Sequence, residues 1–328
     1  MSASVIIPVF NLENYIINNL ESMLRQEGED NEFIYIDDGS TDNSLQILRE
    51  YQKKDDRIKI ISQKNMGQSV ARNRGMQEAK GEVVFFVDGD DYIAEGSLKM
   101  LTSMMLYNDL EVLLTDQKIV YSIGDENCTE QKTTKCEKII TGIELMKEKS
   151  VFTNCLYIYR RSFIEQNHIR FMEGVYHEDM DFVPRALYYA HRTMKVDYTF
   201  YFHVMRNEST THTSCVKRSK DLFQIANSLS NFITNNSMKS SDRAYFEQYR
   251  ISLYSQGIHV AFINGFKVAD LICGQLERKN LVKQLRLGNR KNKFVAFMLY
   301  LHLDEIYREM YLRYNEIRNR CSERNTLR

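Results

Sequence analysis

The chain has 328 residues, of which 43% are hydrophobic and 27% charged, and its formal net charge is zero. A chain of this length accommodates one large α/β domain and a further region, because single cores stop growing near about 250–300 residues. The neutral balance argues against a nucleic-acid-binding protein. The apolar runs are too short for a signal peptide or a membrane span, and six scattered cysteines favour reduced thiols, which together predict a cytoplasmic protein.

The first 115 or so residues alternate short β-branched runs with segments of helical periodicity. Four strands are predicted, at Val5–Val9, Phe33–Ile36, Ile58–Ile61 and Val83–Val87. Helices are predicted between them, at Leu12–Gln26, Ser44–Tyr51 and Ser69–Ala79. This alternation favours an α/β fold with a doubly wound, mostly parallel sheet and helices on both faces.

From about Glu111 the pattern changes. A strand is predicted at Val112–Leu114, and the polar residues 117–140 indicate an irregular excursion or a hairpin. A strand at Leu156–Tyr159, a helix after residue 179 and an aromatic strand at Met194–Met205 follow, and beyond Lys217 the chain has helical periodicity throughout. We therefore predict a first domain over residues 1–215 and a helical C-terminal region over 216–328.

Two acidic turns follow strands of the predicted sheet. Asp37-Asp38-Gly39-Ser40 follows the second strand, and Asp88-Gly89-Asp90-Asp91 follows the fourth. Because ligands of open parallel sheets bind at the carboxyl ends of the strands, five carboxylates would meet at one edge and repel one another. Mg²⁺ or Mn²⁺ suits such oxygen ligands and leaves positions for phosphate oxygens. Each turn alone is equally typical of a solvated turn or a helix cap, but the pair predicts a metal-assisted diphosphate site.

Other nucleotide sites lack their motifs in this sequence. No GxGxxG follows the first strand, and no GxxxxGK[ST] is present, so neither glycine-rich phosphate loop is available. A phosphoacceptor receiver domain also gathers carboxylates, but the acidic pair here follows the second strand instead of the first. A bound diphosphate would therefore depend on a metal.

Five segments resemble, in family order, the motifs of inverting glycosyltransferase family 2, whose Rossmann-like fold is called GT-A. They are Val5–Asn11, Asp37–Ser44, Asn65–Gly75, Gly81–Asp91 and His177–Asp179. The resemblance covers positions 4 to about 215. It implies a GT-A domain with a nucleotide-sugar half over 1–115 and an acceptor half over 116–215, followed by the helical appendage.

The resemblance also implies a donor site. Phe10 would stack on the nucleotide base and Asp38 would bind its edge, while Asp90 of the DxD motif would hold Mn²⁺ or Mg²⁺. The other implied donor contacts are Pro8, Asp37, Gly67, Arg72 and Asp88. Two simpler interpretations stay open at this point: Phe10 as a strand-end aromatic in the core, and Arg72 as a solvated helix arginine.

The His177-Glu178-Asp179 segment matches the acidic motif that supplies the family's general base. The resemblance implies that Asp179 takes the acceptor proton and that Glu178 or His177 helps to place the acceptor. The alternative is that these are helix N-terminal residues favoured by the macrodipole. Pro184 departs from the family pattern, so the helix either starts late or is kinked there.

The aromatic segment at 201–206 resembles a family segment near the diphosphate. It implies that Arg206 contacts phosphate and that His203 faces the metal. Aromatic strands also hold structural histidines, so this second interpretation stays open.

The stretch 278–293 contains seven basic residues and no acidic one, and an apolar run follows at 294–301. This combination is typical of docking on an anionic membrane surface. The family resemblance implies that this surface is the inner face of the cell membrane. A solvated helix face beside a packed helix and an interface between identical subunits are equally consistent with it.

We therefore expect an inverting, metal-dependent glycosyltransferase of hexosyltransferase type, using a UDP-sugar and a carbohydrate or lipid-linked acceptor in bacterial polysaccharide synthesis. The alternatives are a sugar nucleotidyltransferase and a non-catalytic scaffold of the same fold. A nucleotidyltransferase should have a basic, glycine-rich loop after the first strand, where this chain has Asn11-Leu12-Glu13.

Overall fold

A computed structural model describes residues 2–121, 135–205, 215–272 and 275–326. The chain divides into two compact units. The first contains Met1–Gly174 and Glu178–Thr211, and the second contains Val175–His177 and His212–Arg328. The assignment of separate functions to 1–115, 116–215 and 216–328 stays a prediction.

The described part of the first unit contains one mixed sheet. Its strands are β1 (Ala3–Val9), β2 (Glu32–Asp37), β3 (Ile58–Ser62), β4 (Val83–Phe86), β5 (Tyr92–Ile93), β6 (Val112–Val120), β7 (Lys135–Cys136), β8 (Tyr157–Arg160) and β9 (Thr193–Val204). Their order is β3-β2-β1-β4-β8-β6-β9-β5, with β7 paired to β9. The strands from β3 to β4 are parallel, β8 is antiparallel to both of its neighbours, and β9 is parallel to β6.

Helices connect these strands and cover the sheet. They are α1 (Ile16–Leu24), α2 (Ser44–Gln52), α3 (Gln68–Glu78), α4 (Ser97–Tyr107), α5 (Gly142–Lys149), α6 (Arg161–Gln166) and α7 (Asp179–Tyr189), with a short 3-10 turn at Asn154–Leu156. Every residue of β2 and β4 is buried, as expected where both faces of a sheet are covered. Gly75 lets α3 lie directly on β1, since an added Cβ would stand 2.3 Å from the Ile6 side chain.

The four predicted strands and three predicted helices of the first 115 residues are confirmed, with shifts at their ends. Helix α1 begins at Ile16 instead of Leu12, because the amide of Leu12 donates to Ser44 Oγ at the start of α2 and that of Glu13 donates to Asp42 in the loop before it. The prediction missed α4 and β5. It was also wrong to end the strand at Leu114, because β6 continues along β9 to Val120 through a register shift that interrupts its apolar alternation.

An aromatic cluster fixes α7 against the sheet. The rings of Phe171 and Phe182 stack with centroids 3.9 Å apart, and both pack edge-on to Phe86 of β4. Pro184 lies within α7, which begins at Asp179, so the expectation of a late helix start is wrong. The packing holds the first turn of α7 beside the end of β4.

The second unit is helical in its described residues. Its helices are α8 (Val216–Asn235), α9 (Ser240–Ile263), α10 (Val268–Leu271), α11 (Gln275–Arg286), α12 (Arg290–Tyr300) and α13 (Asp304–Thr326). Gly257 allows α8 and α9 to approach closely, since an added Cβ would lie 2.9 Å from the Ser219 carbonyl oxygen. No helix in the described ranges combines the length and the hydropathy needed to span a bilayer.

Candidate active site

The carboxyl ends of β1, β2 and β4 bring the acidic turns to one edge of the sheet, as the sequence predicted. Asp37 and Asp38 at the end of β2 are buried. Asp37 holds the turn that follows it, and Asp38 accepts hydrogen bonds from the Gln63 side chain at 2.8 Å and from the amides of Met66 and Gly67 at 2.9 and 2.8 Å. Gly67 has a φ of 91°, which glycine adopts without strain. Asp38 thereby fixes the chain that enters α3.

Phe10 lies at the end of β1 and is 45% exposed, so its interpretation as a core aromatic is wrong. The next residue, Asn11, accepts a hydrogen bond from the Thr41 amide at 2.8 Å and donates its own amide to Ser40 Oγ at 3.1 Å. These bonds tie the loop after β1 to the loop after β2. The exposed ring therefore projects from a braced loop, which suits it to stack on a planar ligand.

The second acidic turn lies close against β1. Gly89 permits this approach, since an added Cβ would stand 3.1 Å from the Pro8 carbonyl oxygen. The side chain of Asn19 donates to the carbonyl oxygens of Asp88 and Asp91 at 3.1 and 2.9 Å. The backbone of the turn is thus held in place from α1 and β1.

Arg72 on α3 joins the acidic turn to the first turn of α7. Its guanidinium pairs with Asp88 at 2.6 Å and with Glu178, and the arginine side chain is only 3% exposed. Burial opposes its charge, but the carboxylates of Asp88, Glu178 and Asp179 outweigh burial and raise the pKa of Arg72. The interpretation of Arg72 as a solvated helix arginine is therefore wrong.

Asp179, the first residue of α7, has an unusual environment for a carboxylate. One oxygen accepts the Asn154 amide at 3.0 Å, and the other is buried without a hydrogen-bond partner among the described residues. Burial, reinforced by the negative charge of Glu178, raises its pKa to about 7, although Arg72 opposes the rise. A carboxylate with this pKa can accept and release a proton near neutral pH.

Asp91 is a site residue that the sequence analysis left without a role. It is buried and accepts hydrogen bonds from the Tyr201 hydroxyl at 2.6 Å and the Val204 amide at 2.8 Å, and its Oδ2 lies 3.1 Å from His203 Nδ1. The bond to Asp91 raises the pKa of His203. Because Nδ1 is engaged, Nε2 remains for a metal or a phosphate. The pairing with β9 that reveals this role is not visible in the sequence.

The same edge of the sheet offers a partial set of metal ligands. The negative charges of Asp90 and Asp88 both act on His203, and the side chains of Asp88 and His203 are 36% and 38% exposed. Among the described residues, no group of three or more histidine, cysteine or acidic side chains is arranged to hold an ion by itself. Carboxylate and imidazole donors fit Mn²⁺ or Mg²⁺ when substrate phosphate oxygens complete the coordination.

Two candidate residues fall outside the described part of the first unit. His177 is grouped with the second unit, and its backbone has a φ of 62°. Arg206 lies outside the described residues. The roles assigned to these residues, and to every other site residue named from the sequence, stay predictions.

Comparisons with known proteins find relatives of this chain. The model of a family described as "Glycosyl transferase family 2" matches residues 4–167. "Uncharacterized glycosyltransferase YibD" of Escherichia coli (strain K12) is 30% identical over 215 residues, which are 63% of this chain and 62% of that protein. "Poly(ribitol-phosphate) beta-N-acetylglucosaminyltransferase TarS" of Staphylococcus aureus (strain Mu50 / ATCC 700699) is 27% identical over 273 residues, 82% of this chain and 46% of that protein. The matches thus span less than two thirds of these relatives' own length.

Two solved structures share the fold. S. aureus TarS 1-349 in complex with UDP-GlcNAc superposes with a TM-score of 0.69 and 23% identity, covering 96% of this chain and 92% of that chain. The mannosyltransferase PcManGT from Pyrobaculum calidifontis, in complex with GDP-Man and Mn2+, superposes with a TM-score of 0.55 and 13% identity, covering 94% and 86%. The predicted fold, a GT-A-like sheet followed by C-terminal helices, is confirmed.

Proposed function

Because the chain belongs to glycosyl transferase family 2, we propose that it transfers a sugar from a nucleotide-diphosphate sugar, with inversion, to a carbohydrate or lipid-linked acceptor. One observation carries this proposal: the buried network in which Arg72 joins Glu178, the neighbour of Asp179, to Asp88. The network thus connects the residue next to Asp179, which is suited to take a proton, with the turn that contains Asp88, which is suited to hold a diphosphate.

Asp179 is the proposed general base. As the acceptor oxygen forms its bond to the anomeric carbon, the bond from that carbon to the diphosphate breaks and the acceptor proton moves to Asp179. Its pKa of about 7 and its unpartnered buried oxygen support this role. Glu178 and His177 are proposed to place the acceptor.

The donor is proposed to be a UDP-sugar. Phe10 would stack on the base beside Asp38, and Pro8, Asp37, Gly67 and Arg72 would complete the walls of this pocket. The complex of TarS with UDP-GlcNAc, which has the same fold, supports the choice of uridine.

The metal site is proposed to be Asp90, with Asp88 and His203 beside it and Arg206 on the phosphates. When bound, Mn²⁺ or Mg²⁺ neutralises charge that develops on the leaving diphosphate. The Mn2+ named for the mannosyltransferase structure supports a divalent ion in this fold.

The acceptor is proposed to be a growing bacterial polysaccharide, because TarS is named for transfer onto poly(ribitol-phosphate). We place the reaction in the cytoplasm. Cys136, Cys155 and Cys215 are free thiols, which suit a reducing compartment.

The loop after β1 disfavours the nucleotidyltransferase alternative. Glu13 in this loop accepts hydrogen bonds from the amide and side chain of Asn43 at 3.0 and 2.8 Å. An acidic, braced loop is a poor substitute for a basic, glycine-rich loop that would cradle a triphosphate.

Calorimetric titration of UDP tests the donor site. We expect binding in Mn²⁺ that is lost with chelator and in Asp90→Ala, and retained in Asp30→Ala, which removes an exposed acid elsewhere on the first unit. Failure of UDP, GDP and dTDP to bind in any condition would contradict the proposal.

A further inference from the structure

The outward face of α12 carries large apolar and basic side chains together. Phe297 and Tyr300 are 53% and 60% exposed, and Phe294 and Leu301 are each 44% exposed. The opposite face of the helix is buried in the second unit, at Val295, Ala296, Met298 and Leu299. The exposed side chains share one face because they recur at three- and four-residue intervals. The residues of this exposed surface, called here the α12 face, are Arg290, Lys293, Phe294, Phe297, Tyr300 and Leu301.

The segment that contains α12 carries charge of one sign. Residues 278–303 contain seven lysines and arginines and no acidic residue, although the whole chain is neutral. The two acids that begin α13 are already paired, Asp304 with Arg278 at 2.9 Å and Glu305 with Lys267 at 3.1 Å. The remaining basic side chains are exposed and form no ion pair within the described part of the chain: Lys279, Lys283, Arg286, Arg290, Lys291 and Lys293.

We propose that the α12 face binds an anionic membrane surface. Basic side chains are attracted to anionic headgroups, each contributing over a distance of about one Debye length, while aromatic side chains enter the boundary between headgroups and acyl chains. The guanidinium of Arg286 lies 4.8 Å from the centroid of the Tyr300 ring, so a basic and an aromatic side chain adjoin each other here. The helix has 11 residues and lies on the membrane surface without crossing it.

A second copy of the chain is a poorer occupant of this face. A two-fold contact would place the same basic surface on both sides and bring like charges together, which is unfavourable. An anionic lipid surface has the opposite charge and no fixed shape to match. The inference rests on the second unit alone and is independent of the proposed glycosyl transfer.

The chain contains no tryptophan, so a single introduced indole reports on one position. In Phe297→Trp, we expect emission to shift to shorter wavelength on adding vesicles of phosphatidylglycerol and phosphatidylcholine, and brominated lipid to quench it. The matched control is Tyr107→Trp on α4 of the first unit, where the native ring is 92% exposed. This control should show neither effect.

Charge dependence is tested by vesicle flotation of the full chain. Replacing Arg290 and Lys293 by glutamine should weaken partitioning about 30-fold. The same change at Lys220 and Lys239, two exposed lysines elsewhere in the second unit, should leave it unchanged. Three results would overturn the proposal: no shift in Phe297→Trp with any vesicle, an equal shift with pure phosphatidylcholine, or a shift in lipid-free buffer that grows with protein concentration. The last would assign the face to a second copy.

Discussion

Arg72 and Glu178, which are 106 residues apart in the sequence, form an ion pair in which each side chain is only 3% exposed. The pair joins α3 to the first turn of α7, and the same guanidinium reaches Asp88 in the acidic turn. Asp179, the proposed base, therefore sits beside a charge network that extends to the proposed diphosphate site. Substitutions at Arg72 should therefore affect both the proposed base and the proposed diphosphate site.

Removal of Arg72 should destabilise the fold and shift the pH profile. Arg72→Met leaves the buried Glu178 carboxylate without its cation, and breaking such a pair costs about 3–5 kcal/mol. Because Arg72 lowers the pKa of Asp179, its loss should raise that pKa further and move the acid limb of activity to higher pH. Chemical unfolding and a pH–rate profile measure the two effects.

The double variant Arg72→Met with Glu178→Gln separates charge from packing. It should recover much of the lost stability because the Glu178 carboxylate, which lost its cation, is replaced by a neutral amide. An Arg72→Met variant as stable as the native protein would contradict the burial of this pair.

Asp179 should destabilise the protein at neutral pH. Its folded pKa of about 7 lies above its ordinary value of 3.8, so the folded state binds more protons than the unfolded state between these values. The contribution of Asp179 to the free energy of unfolding is therefore fully present below about pH 4. It falls by a few kcal/mol as the pH rises through about 7. We expect Asp179→Asn to unfold at a higher temperature than the native protein at pH 8, with a smaller difference at pH 5. Equal midpoints at both values would refute the raised pKa.

Phe10 should contribute to nucleotide affinity and little to stability. Its ring is 45% exposed, and stacking of a base on an aromatic ring is worth about 1–3 kcal/mol. Phe10→Ala should therefore raise the Kd for UDP about 5- to 150-fold with an unchanged unfolding midpoint. Tyr107→Ala, at an exposed aromatic away from the site, serves as the control. Unchanged UDP affinity in Phe10→Ala would remove Phe10 from the donor site.

Asp91 should contribute strongly to the stability of the fold. Asp91→Ala leaves the Tyr201 hydroxyl, the Val204 amide and His203 Nδ1 without their acceptor. Hydrogen bonds to a charged group are worth about 1.5–3 kcal/mol each, so the two from the buried Tyr201 hydroxyl and Val204 amide alone predict a loss of about 3–6 kcal/mol in unfolding free energy. Asp90→Ala, one residue earlier and only partly buried, should cost much less. Equal losses in the two variants would show that the Asp91 cluster contributes no special stability.

The parallel half of the sheet could be predicted from the sequence because β1, β2 and β4 are short apolar runs bounded by polar turns. The same turns predicted that Asp37, Asp38, Asp88 and Asp90 follow strand ends at one edge of the sheet, since parallel strands end at one edge. The second half was harder to predict. Strand β8 inserts antiparallel between β4 and β6. Such pairing depends on tertiary contacts and cannot be predicted from local periodicity.

The site was predictable where a role depends on local position and not where it depends on contacts across the chain. Asp91 looked like a third acid in a solvated turn, because its partners lie more than 100 positions away. Arg72 was ambiguous for the same reason, since only its pairs with Asp88 and Glu178 distinguish it from a surface arginine.

Release of UDP from UDP-sugars, in Mn²⁺ and with a glycan acceptor, tests the central claim most directly. We predict metal-dependent turnover in the native protein and loss of that turnover with chelator. In Asp179→Asn we predict a rate about 10²–10⁴-fold lower, although that variant still binds UDP. UDP binding without turnover of any nucleotide sugar, or full activity in Asp179→Asn, would contradict it. The first of these results would leave a nucleotide-binding scaffold, and the second would assign the base to another residue.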